Sequence, residues 1–253
     1  MARVAELFDV SGRVACVTGA SSGLGRRAAL VLAQNGARVV GVARRAEALE
    51  DWRAEAGEGT AAIAGDVADR EGLDDLARRI AEPFGPPDIV IHAAGLNTRE
   101  KADEVTPQGW DRTIALNLTA PFFLSQKLVP AMRKRGWGRI VTFASLQSFR
   151  AFPGGVAYGA SKGGIAQLTR AMAEAWSRDG INANAIAPGF FRTELTAPVF
   201  SDPDLAARNA AQTCIGRNGE PQDLDGPILF LCSPASNYVT GHVLMLDGGF
   251  TAK

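Results

Sequence analysis

A tyrosine and a lysine four residues apart are the residues of this chain best suited to proton chemistry. Tyr158 and Lys162 lie in the run Tyr-Gly-Ala-Ser-Lys, and Ser145 precedes the tyrosine by 13 residues. In a helix, positions i and i+4 share a face, so the lysine ammonium can reach the surroundings of the phenol. One unit charge about 4 Å away, at an effective dielectric of ~20, is strong enough to bring a tyrosine pKa from ~10 to near neutrality. Such a phenol can serve as a general acid or base, although an isolated pair of this kind is commonly a solvated helix contact.

A glycine-rich segment near the N-terminus has the form of a phosphate-binding turn. It reads Thr-Gly-Ala-Ser-Ser-Gly-Leu-Gly from Thr18 to Gly25, between the strand candidate Arg13–Thr18 and the helix candidate Gly25–Asn35. Glycines let the backbone approach a pyrophosphate, and the N–H groups at a helix start point at the anion. Taken alone, the pattern also fits a tight turn without a ligand. In this context it predicts dinucleotide binding by Gly19, Ser21, Ser22, Gly23, Leu24 and Gly25.

The second strand candidate ends in arginines. Many NAD enzymes place an acid there to hold the adenosine 2′-hydroxyl, whereas this chain has Val-Ala-Arg-Arg at positions 42 to 45. Arg44, with Arg45 beside it, can pair with a 2′-phosphate through charge-assisted hydrogen bonds. The sequence therefore favours NADP(H) as the cofactor. NAD(H) stays open, because arginines at a helix start are also ordinary solvated charges.

Apolar runs of strand length alternate with helical periodicity from Arg13 almost to the end of the chain. The strand candidates are Arg13–Thr18, Arg38–Ala43, Ala61–Ala64, Ile89–His92, Arg139–Phe143, Ile181–Ile186 and Val243–Leu246. The helix candidates are Gly25–Asn35, Glu47–Glu55, Glu71–Glu82, Pro107–Lys134, Tyr158–Arg178 and Pro221–Leu231. Continuous apolar strands are typical of a parallel sheet buried on both faces. We therefore predict a single α/β domain over residues 1–253, of the Rossmann type and doubly wound, with a seven-stranded, mostly parallel sheet and helices on both faces.

The region Pro188–Arg217 breaks this alternation. It begins with Pro188-Gly189 and continues as a mixed helical stretch that contains Pro198 and Pro203. An interruption of this kind after a strand's carboxyl end is often a substrate-covering segment. We predict a lid at about residues 190–218.

Composition narrows the class of ligand. Lys+Arg and Asp+Glu both number 27, so no net charge attracts nucleic acid or an anionic membrane. We find no apolar run long enough to span a bilayer, and acids interrupt the first nine residues, so we expect a cytoplasmic protein without a signal peptide. The three cysteines lack metal-ligand spacing, so we predict no metal site. A small-molecule substrate remains the expected partner.

These motifs together resemble the short-chain dehydrogenase/reductase family over nearly the whole chain. The matching pieces are the Thr18–Gly25 turn, Asp66-Val67, Ala93-Ala94-Gly95, Asn117, Ser145, Tyr158, Lys162, and Pro188-Gly189 with Thr193. The resemblance implies an NAD(P)-dependent enzyme that interconverts a secondary alcohol and a ketone. It also implies a homotetramer.

The resemblance assigns a role to each matching residue. Tyr158 is the acid/base and Ser145 orients the substrate oxygen. Lys162 binds the nicotinamide ribose and lowers the pKa of the tyrosine, while Asn117 holds a proton-relay water. The remaining matches imply cofactor contacts, by Asp66, Val67, Ala93, Ala94, Gly95, Pro188, Gly189, Phe191 and Thr193. Simpler roles stay open, since Ser145 could merely end a strand and Asp66 could be a turn residue or a helix cap.

One residue departs from the family pattern. Where the family usually has Asn-Asn-Ala-Gly, this chain has His-Ala-Ala-Gly, beginning at His92. An imidazole titrates near neutral pH and therefore invites a catalytic interpretation. Buried polar groups normally find partners, so we expect a hydrogen-bonded structural histidine at a strand end.

The substrate is less well determined. The stretches around residues 96–99 and 144–149 and the C-terminal segment 247–253 resemble the sugar-acid branch, such as gluconate 5-dehydrogenases and 2-keto-3-deoxygluconate dehydrogenases. Arg99, Arg150 or Arg192 could attract a carboxylate, and Gln147 could bond a hydroxyl. The alternatives are a 3-oxoacyl-thioester reductase, or a reductase of apolar ketones with a pocket formed by Phe149, Phe152, Phe190 and Phe191. A non-catalytic dinucleotide-binding sensor is a further alternative, which the retained Ser145, Tyr158 and Lys162 disfavour.

Overall fold

The computed structural model describes residues 3–253 and contains one seven-stranded sheet, in the order β3-β2-β1-β4-β5-β6-β7. Every strand pairs in parallel with its neighbour, so the sheet is entirely parallel over the described residues. The strands are β1 Val14–Thr18, β2 Arg38–Ala43, β3 Thr60–Ala64, β4 Ile89–His92, β5 Gly138–Phe143, β6 Ile181–Pro188 and β7 Val243–Leu246. Three strands have the predicted bounds, and the other four differ by one or two residues at one end.

Helices cover both faces of the sheet, which confirms the predicted doubly wound α/β fold. The helices are α1 Val4–Leu7, α2 Gly23–Gln34, α3 Ala46–Ala56, α4 Leu73–Ala81, α5 Pro107–Ile114, α6 Ala120–Arg135, α7 Val156–Trp176, α8 Ala197–Phe200, α9 Pro203–Gln212 and α10 Asp225–Cys232. One core cluster joins the sheet to α2, α3 and α10. A second joins it to α4 and α6 and to the C-terminal half of α7. The inner strands β1, β4 and β5 are buried along their whole length, as is typical of mostly apolar strands in a parallel sheet.

The predicted helix over residues 107–134 is interrupted. Between α5 and α6 the chain forms one π-helical segment, Ala115–Thr119, with Asn117 at its centre. Single π segments of this kind are frequent at functional sites. A hydrophobic pattern gives the length of a helix but not a local change of hydrogen-bond register, which depends on tertiary contacts.

Several helices end where capping residues in the local sequence would end them. Thr106 caps α5 because its hydroxyl accepts a hydrogen bond from the Gly109 amide at 3.0 Å. Gly136 ends α6 in the left-handed conformation, with a φ of 63°. Asp69 lies outside α4, and its carboxylate accepts a hydrogen bond from the Glu71 amide in a turn before the helix begins at Leu73.

The strand order reverses direction between β1 and β4. The chain winds outward from β1 to β3, then returns to the other side of β1 through β4, and Thr18 lies beside His92 at the carboxyl edge. In open parallel sheets, the crevice outside this reversal point is where ligands bind. The glycine-rich turn after β1 and the Ala-Ala-Gly segment after β4 therefore flank a common cleft.

Two further features bear on the class of protein. Among the described residues, no helix combines the length and the apolar character that a bilayer crossing requires. Within the same residues, no group of three or more His, Cys, Asp or Glu side chains is arranged to hold a metal ion.

Candidate active site

One cavity of about 670 Å³ opens at the carboxyl edge of the sheet. It runs from the basic end of β2, past the glycine-rich turn, to Ser145 and Tyr158. Nearly all the predicted site residues line it: Gly19, Ser21, Ser22, Gly23, Leu24, Gly25, Arg44, Arg45, Asp66, Val67, Ala93, Ala94, Gly95, Ser145, Tyr158, Lys162, Pro188, Gly189, Phe191 and Thr193. Residues that span 175 positions of the sequence, from 19 to 193, thus meet at one cleft.

The glycine-rich turn lies too close to its neighbours for side chains. Gly19 has a φ of 74°, and a Cβ there would lie 2.7 Å from the amide nitrogen of Ala94. A Cβ at Gly25 would lie 2.4 Å from the carbonyl oxygen of Gly19. These contacts fix the backbone that leaves β1 and enters α2, which presents helix N–H groups to the cleft.

Asn117 lies beside the cavity and does not line it. Its side-chain oxygen accepts from the Leu96 amide at 2.9 Å, and its amide nitrogen donates to the Leu96 carbonyl at 2.9 Å and to Ser161 Oγ at 3.0 Å. The side chain is almost completely buried, and its contacts tie the π segment to α7 and to the segment after Gly95. A relay water at this position, which remains a prediction, would have to use another group of the π segment.

Ser145 directly follows β5 and starts a 3-10 turn, Leu146–Ser148. Its Oγ accepts from the Gln147 amide at 3.1 Å, and its own amide donates to Ser148 Oγ at 3.2 Å. One lone pair of the hydroxyl is therefore occupied, and its proton can be donated. The serine is both a turn residue and a hydroxyl fixed at the cavity wall.

Tyr158 sits in the first turn of α7, and its side chain is half-buried at the cavity wall. Burial raises the pKa of Tyr158, while hydrogen bonding to Ser145 and the positive charge of Arg99 act in the opposite direction. Burial has the larger effect on the phenol, and the predicted lowering of this pKa by Lys162 stays a prediction. In this state the phenol is protonated at neutral pH and is available as a donor.

Lys162 is buried next to the tyrosine without a carboxylate partner. Its Nζ lies 5.6 Å from the centre of the Tyr158 ring and donates to the Phe143 carbonyl at 2.5 Å. Burial lowers the pKa of Lys162 to about 8. The i, i+4 prediction was therefore right about proximity, but the ammonium hydrogen-bonds the end of β5 and not the phenol oxygen.

The two arginines after β2 differ in their contacts. Arg45 pairs with Glu194, with nitrogen–oxygen distances of 2.9 and 3.1 Å, and its guanidinium also lies 3.3 Å from Ser21 Oγ. Arg44 is exposed at the same end of the cavity. Both therefore lie where the second-strand pattern placed a phosphate-binding group.

His92 lies at the end of β4 and is almost completely buried. Its Nε2 is 2.8 Å from Ser125 Oγ, and burial lowers its pKa to about 3. The imidazole is therefore neutral at physiological pH and does not line the cavity. This environment supports the structural interpretation of His92.

We predict that a His92→Asn variant keeps the pH profile of kcat/KM of the wild-type protein. The reason is that an imidazole with a pKa of about 3 does not titrate in the range where the enzyme is assayed. The profile should be measured from about pH 5 to pH 9 for both proteins, because this range includes the usual histidine pKa. Loss of an ionisation in the variant would assign His92 to the chemistry.

The structure adds residues that the sequence had not singled out. Asn97, Leu205 and Asn209 line the cavity, and the last two lie four residues apart on α9. Their spacing places them on one face of that helix. The spacing could be read from the sequence, but the side of the helix that faces the cavity depends on the tertiary fold of the segment after β6.

Of the three arginines considered for substrate binding, only Arg99 lines the cavity. It is the one non-glycine among the described residues with a positive φ, 57°, and it donates to the Leu195 carbonyl at 2.6 Å. Arg150 donates to carbonyls of the C-terminal segment, and Arg192 stacks on Phe200 at 4.6 Å. Two features distinguish Arg99 from the other two arginines: its backbone has a left-handed φ, and its charge acts to lower the pKa of Tyr158.

The predicted aromatic wall is partly present. Phe152, Phe190 and Phe191 line the cavity, whereas Phe149 is 51% exposed and points elsewhere. Phe152 and Phe190 form a cluster with Phe250, with ring centroids 5.7 to 6.3 Å apart. This cluster joins the C-terminal segment to the cavity wall.

Comparison with known proteins agrees with this geometry. A family model described as "Enoyl-(Acyl carrier protein) reductase" matches residues 19–251. The chain is 40% identical over 252 residues to the gluconate 5-dehydrogenase of Gluconobacter oxydans (strain 621H), with 98% of each chain covered. It is 38% identical to the 2-dehydro-3-deoxy-D-gluconate 5-dehydrogenase of Escherichia coli (strain K12), over 99% of this chain and 100% of that one.

A solved structure gives the same result. The gluconate 5-dehydrogenase from Burkholderia cenocepacia J2315, crystallised in complex with NADP and tartrate, has a TM-score of 0.93 at 32% identity. The similarity covers 99% of this chain and 100% of that one. The fold, the cavity and these full-length similarities confirm the resemblance seen in the sequence, and the chain belongs to the short-chain dehydrogenase/reductase family.

Proposed function

We propose that the protein is an NADP(H)-dependent oxidoreductase that interconverts a secondary alcohol and a ketone on a sugar acid. The observation that carries the proposal is the meeting of Ser145, Tyr158 and Lys162 with Arg99 at one end of a cavity whose other end is basic. The relatives named above act, by their names, on gluconate or on a keto-deoxygluconate. The residues that meet at the cavity and the names of these relatives therefore support the same proposal.

The cavity fits a dinucleotide in both size and polarity. Its volume of about 670 Å³ lies within the usual range for small-molecule sites. The glycine-rich turn offers backbone amides to a pyrophosphate, and Arg44, Arg45 and Ser21 can surround a 2′-phosphate. In this proposal Asp66 and Val67 contact the adenine, and Pro188, Gly189 and Thr193 contact the nicotinamide part, as the family resemblance implies; all five line the cavity.

The proton chemistry belongs to this chain's own residues. The bound cofactor supplies or accepts a hydride. In the reduction, Tyr158 donates its phenolic proton to the carbonyl oxygen of the substrate, and Ser145 donates a hydrogen bond that holds this oxygen in place. In the oxidation, the same groups work in reverse. Lys162, with its pKa lowered to about 8, carries a positive charge at neutral pH and stabilises the phenolate that remains after donation.

Arg99 and Gln147 are suited to the remainder of a sugar acid. Arg99 offers a planar guanidinium that can pair with a carboxylate. Gln147 lines the cavity beside Ser145, and its Oε1 is buried without a hydrogen-bond partner among residues 3–253. An amide without a partner at this wall favours a ligand that carries hydroxyl groups. We propose that residues 190–218, which include α8 and α9, form a lid that closes on such a substrate.

The aromatic cluster supports one alternative substrate class. Phe152 and Phe190, backed by Phe250, give one wall of the cavity an apolar surface that suits a 3-oxoacyl thioester or an apolar ketone. In that case Arg99 would pair with no substrate group. The two classes therefore differ in whether activity depends on a substrate carboxylate.

The first test is cofactor titration followed by a substrate panel. NADPH and NADH fluorescence should be titrated with the purified protein, and carbonyl reduction should then be assayed with the tighter-binding cofactor. Tighter NADPH binding and activity on a keto sugar acid are the expected results. Activity on an acetoacetyl thioester without activity on keto sugar acids would favour the alternative substrate class. Binding without turnover on the whole panel would favour a non-catalytic sensor.

We predict that Arg99→Leu lowers kcat/KM for a keto sugar acid by about 100-fold, since a charge-assisted pair with a carboxylate is worth ~1.5–3 kcal/mol. An uncharged keto sugar should be affected far less, because it carries no carboxylate. Arg150→Leu is a matched control, as Arg150 bonds the C-terminal segment outside the cavity. Equal losses on charged and uncharged substrates in the Arg99 variant would contradict the assignment.

We further propose a cytoplasmic homotetramer, as the family resemblance implies. Apolar surface supports an assembly: Trp110 on α5 and Val156 on α7 are 38% and 46% exposed, and the edge strand β7 is only half-buried. Uncovered apolar helix and strand surfaces favour contact with a further copy. Sedimentation velocity should give the mass of four chains, and a stable monomer at micromolar concentration would count against the assembly.

A further inference from the structure

The acid nearest to the arginines after β2 lies on the predicted lid. Glu194 follows Thr193 and begins a short 3-10 turn, Glu194–Thr196. Its carboxylate receives two hydrogen bonds from Arg45, at 3.1 and 2.9 Å, across 149 residues of sequence. The contact crosses the cavity and joins the segment after β6 to the end of β2.

The same carboxylate lies near the hydroxyls of the glycine-rich turn. The pKa of Glu194 is lowered, chiefly by its hydrogen bond with Arg45, and hydrogen bonding to Ser22 adds to the effect. The Arg45 guanidinium is also 3.3 Å from Ser21 Oγ. Glu194 thus engages an arginine and a hydroxyl, which are the groups that a phosphate monoester would take at this end of the cavity.

We propose that Glu194 is a cofactor-selectivity residue that competes with the 2′-phosphate of NADP(H) for Arg45. The inference rests on the proposed cofactor. NAD(H) carries no 2′-phosphate and has no need of Arg45, so the carboxylate does not compete with it. Glu194 therefore reduces the preference for NADP(H) that Arg44 and Arg45 alone would give.

The position of the lid brings Glu194 within reach of Arg45. A Cβ at Gly23 would lie 3.2 Å from the Thr193 Cβ, so the lid segment already contacts the glycine-rich turn. Glu194 is the next residue, so the same contact keeps it close to the end of β2. Capping of the turn, with Thr193 Oγ1 and Thr196 Oγ1 3.0 Å apart, holds the backbone in place.

The solvent exposure of Arg45 and Glu194 limits how far Glu194 can change the affinity for NADP(H). The side chains of Arg45 and Glu194 are 53% and 62% exposed. Pairs this exposed are screened by water, and removing one acid changes affinity by no more than about fivefold. Arg44 has no such acid in contact within the described residues and keeps its attraction for a phosphate.

The test compares NADPH and NADH binding to the wild type and to Glu194→Gln, which removes the charge and keeps the shape. We expect the Kd for NADPH to fall about fivefold at low salt and the Kd for NADH to stay within about twofold. Glu47→Gln is the matched control. Glu47 is an exposed acid in the first turn of α3, two residues after Arg45, and is expected to leave the ratio of the two Kd values unchanged.

A double-mutant cycle with Arg45→Gln identifies the partner. In that background, Glu194→Gln should no longer change NADPH binding, because the competition is gone. Equal tightening of NADPH and NADH, an unchanged NADPH Kd, or the same gain from Glu47→Gln would each overturn the proposal. Failure of the wild type to bind either cofactor would instead contradict the proposed function.

Discussion

Replacing Tyr158 with phenylalanine is expected to lower kcat by about 10³-fold, because a positioned acid or base contributes ~10²–10⁴-fold. The substitution removes only the hydroxyl that donates the proton, while the ring keeps its place in α7. NADPH binding should stay within about twofold of the wild type, since the phenolic oxygen is a proton donor and not a main cofactor anchor. Single-turnover reduction and a fluorescence titration measure the two quantities separately.

Tyr238 supplies the control for this variant. It is the only other tyrosine of the chain and is fully exposed, so Tyr238→Phe should leave kcat unchanged.

The pH dependence of turnover gives a second test of the role of Tyr158. Because burial raises the pKa of Tyr158, the donor form persists through neutral pH and reduction should be flat there, whereas oxidation, which needs the phenolate, should accelerate as pH rises. Substantial turnover in Tyr158→Phe would refute the proposed mechanism.

Lys162→Met is expected to lose most of the activity and to make the protein without cofactor more stable. Lys162 is buried with no carboxylate partner, and its pKa falls from 10.5 to about 8. At ~1.36 kcal/mol per unit, the charged form costs the fold at most about 3 kcal/mol at neutral pH. Methionine removes this cost, although it also gives up the hydrogen bond to Phe143, worth about 1 kcal/mol. Urea unfolding at pH 7 should show a net gain of roughly 1–2 kcal/mol.

The pH dependence of unfolding tests the same reasoning. Below pH 8 the lysine is charged in both the folded and the unfolded chain, so the penalty is fully present. Between about pH 8 and 10.5 the unfolded chain binds the proton more tightly, and the wild type gains stability as pH rises. The Lys162→Met variant should lack this gain, so the difference between the two proteins should shrink with pH.

Lys134 is the matched control for this experiment. It is exposed on the last turn of α6, and Lys134→Met should change the free energy of unfolding by less than about 0.5 kcal/mol at any pH. A Lys162→Met variant that is less stable than the wild type at pH 7 would show that the ammonium stabilises the fold.

Much of the architecture could be predicted from local sequence. The strands β2, β4 and β7 begin and end at the predicted residues, because each is a short run made mostly of apolar residues, as is typical of parallel strands covered by helices. The glycine-rich turn was equally predictable, since positions such as Gly19 and Gly25 have no room for a side chain. The spacing of Ser145, Tyr158 and Lys162 placed all three at one cavity, because the end of β5 and the start of α7 are adjacent in the chain.

Long-range contacts decided the rest. Sequence alone treated Arg99, Arg150 and Arg192 alike, and only the fold turns Arg99 toward Tyr158 while it ties Arg150 to the C-terminal segment. The pairing of Glu194 with Arg45 joins residues 149 positions apart, which no periodicity encodes.

The sequence by itself therefore determined the strands and the glycine-rich turn and predicted Tyr158 as the proton donor, because each depends on residues that are close in the chain. The tertiary structure decided which charges face the cavity, where the segment after β6 lies, and the direction in which burial shifts the pKa of Tyr158. These properties depend on burial and on distances between remote segments. Neither quantity exists until the sheet, α7 and the lid have packed together.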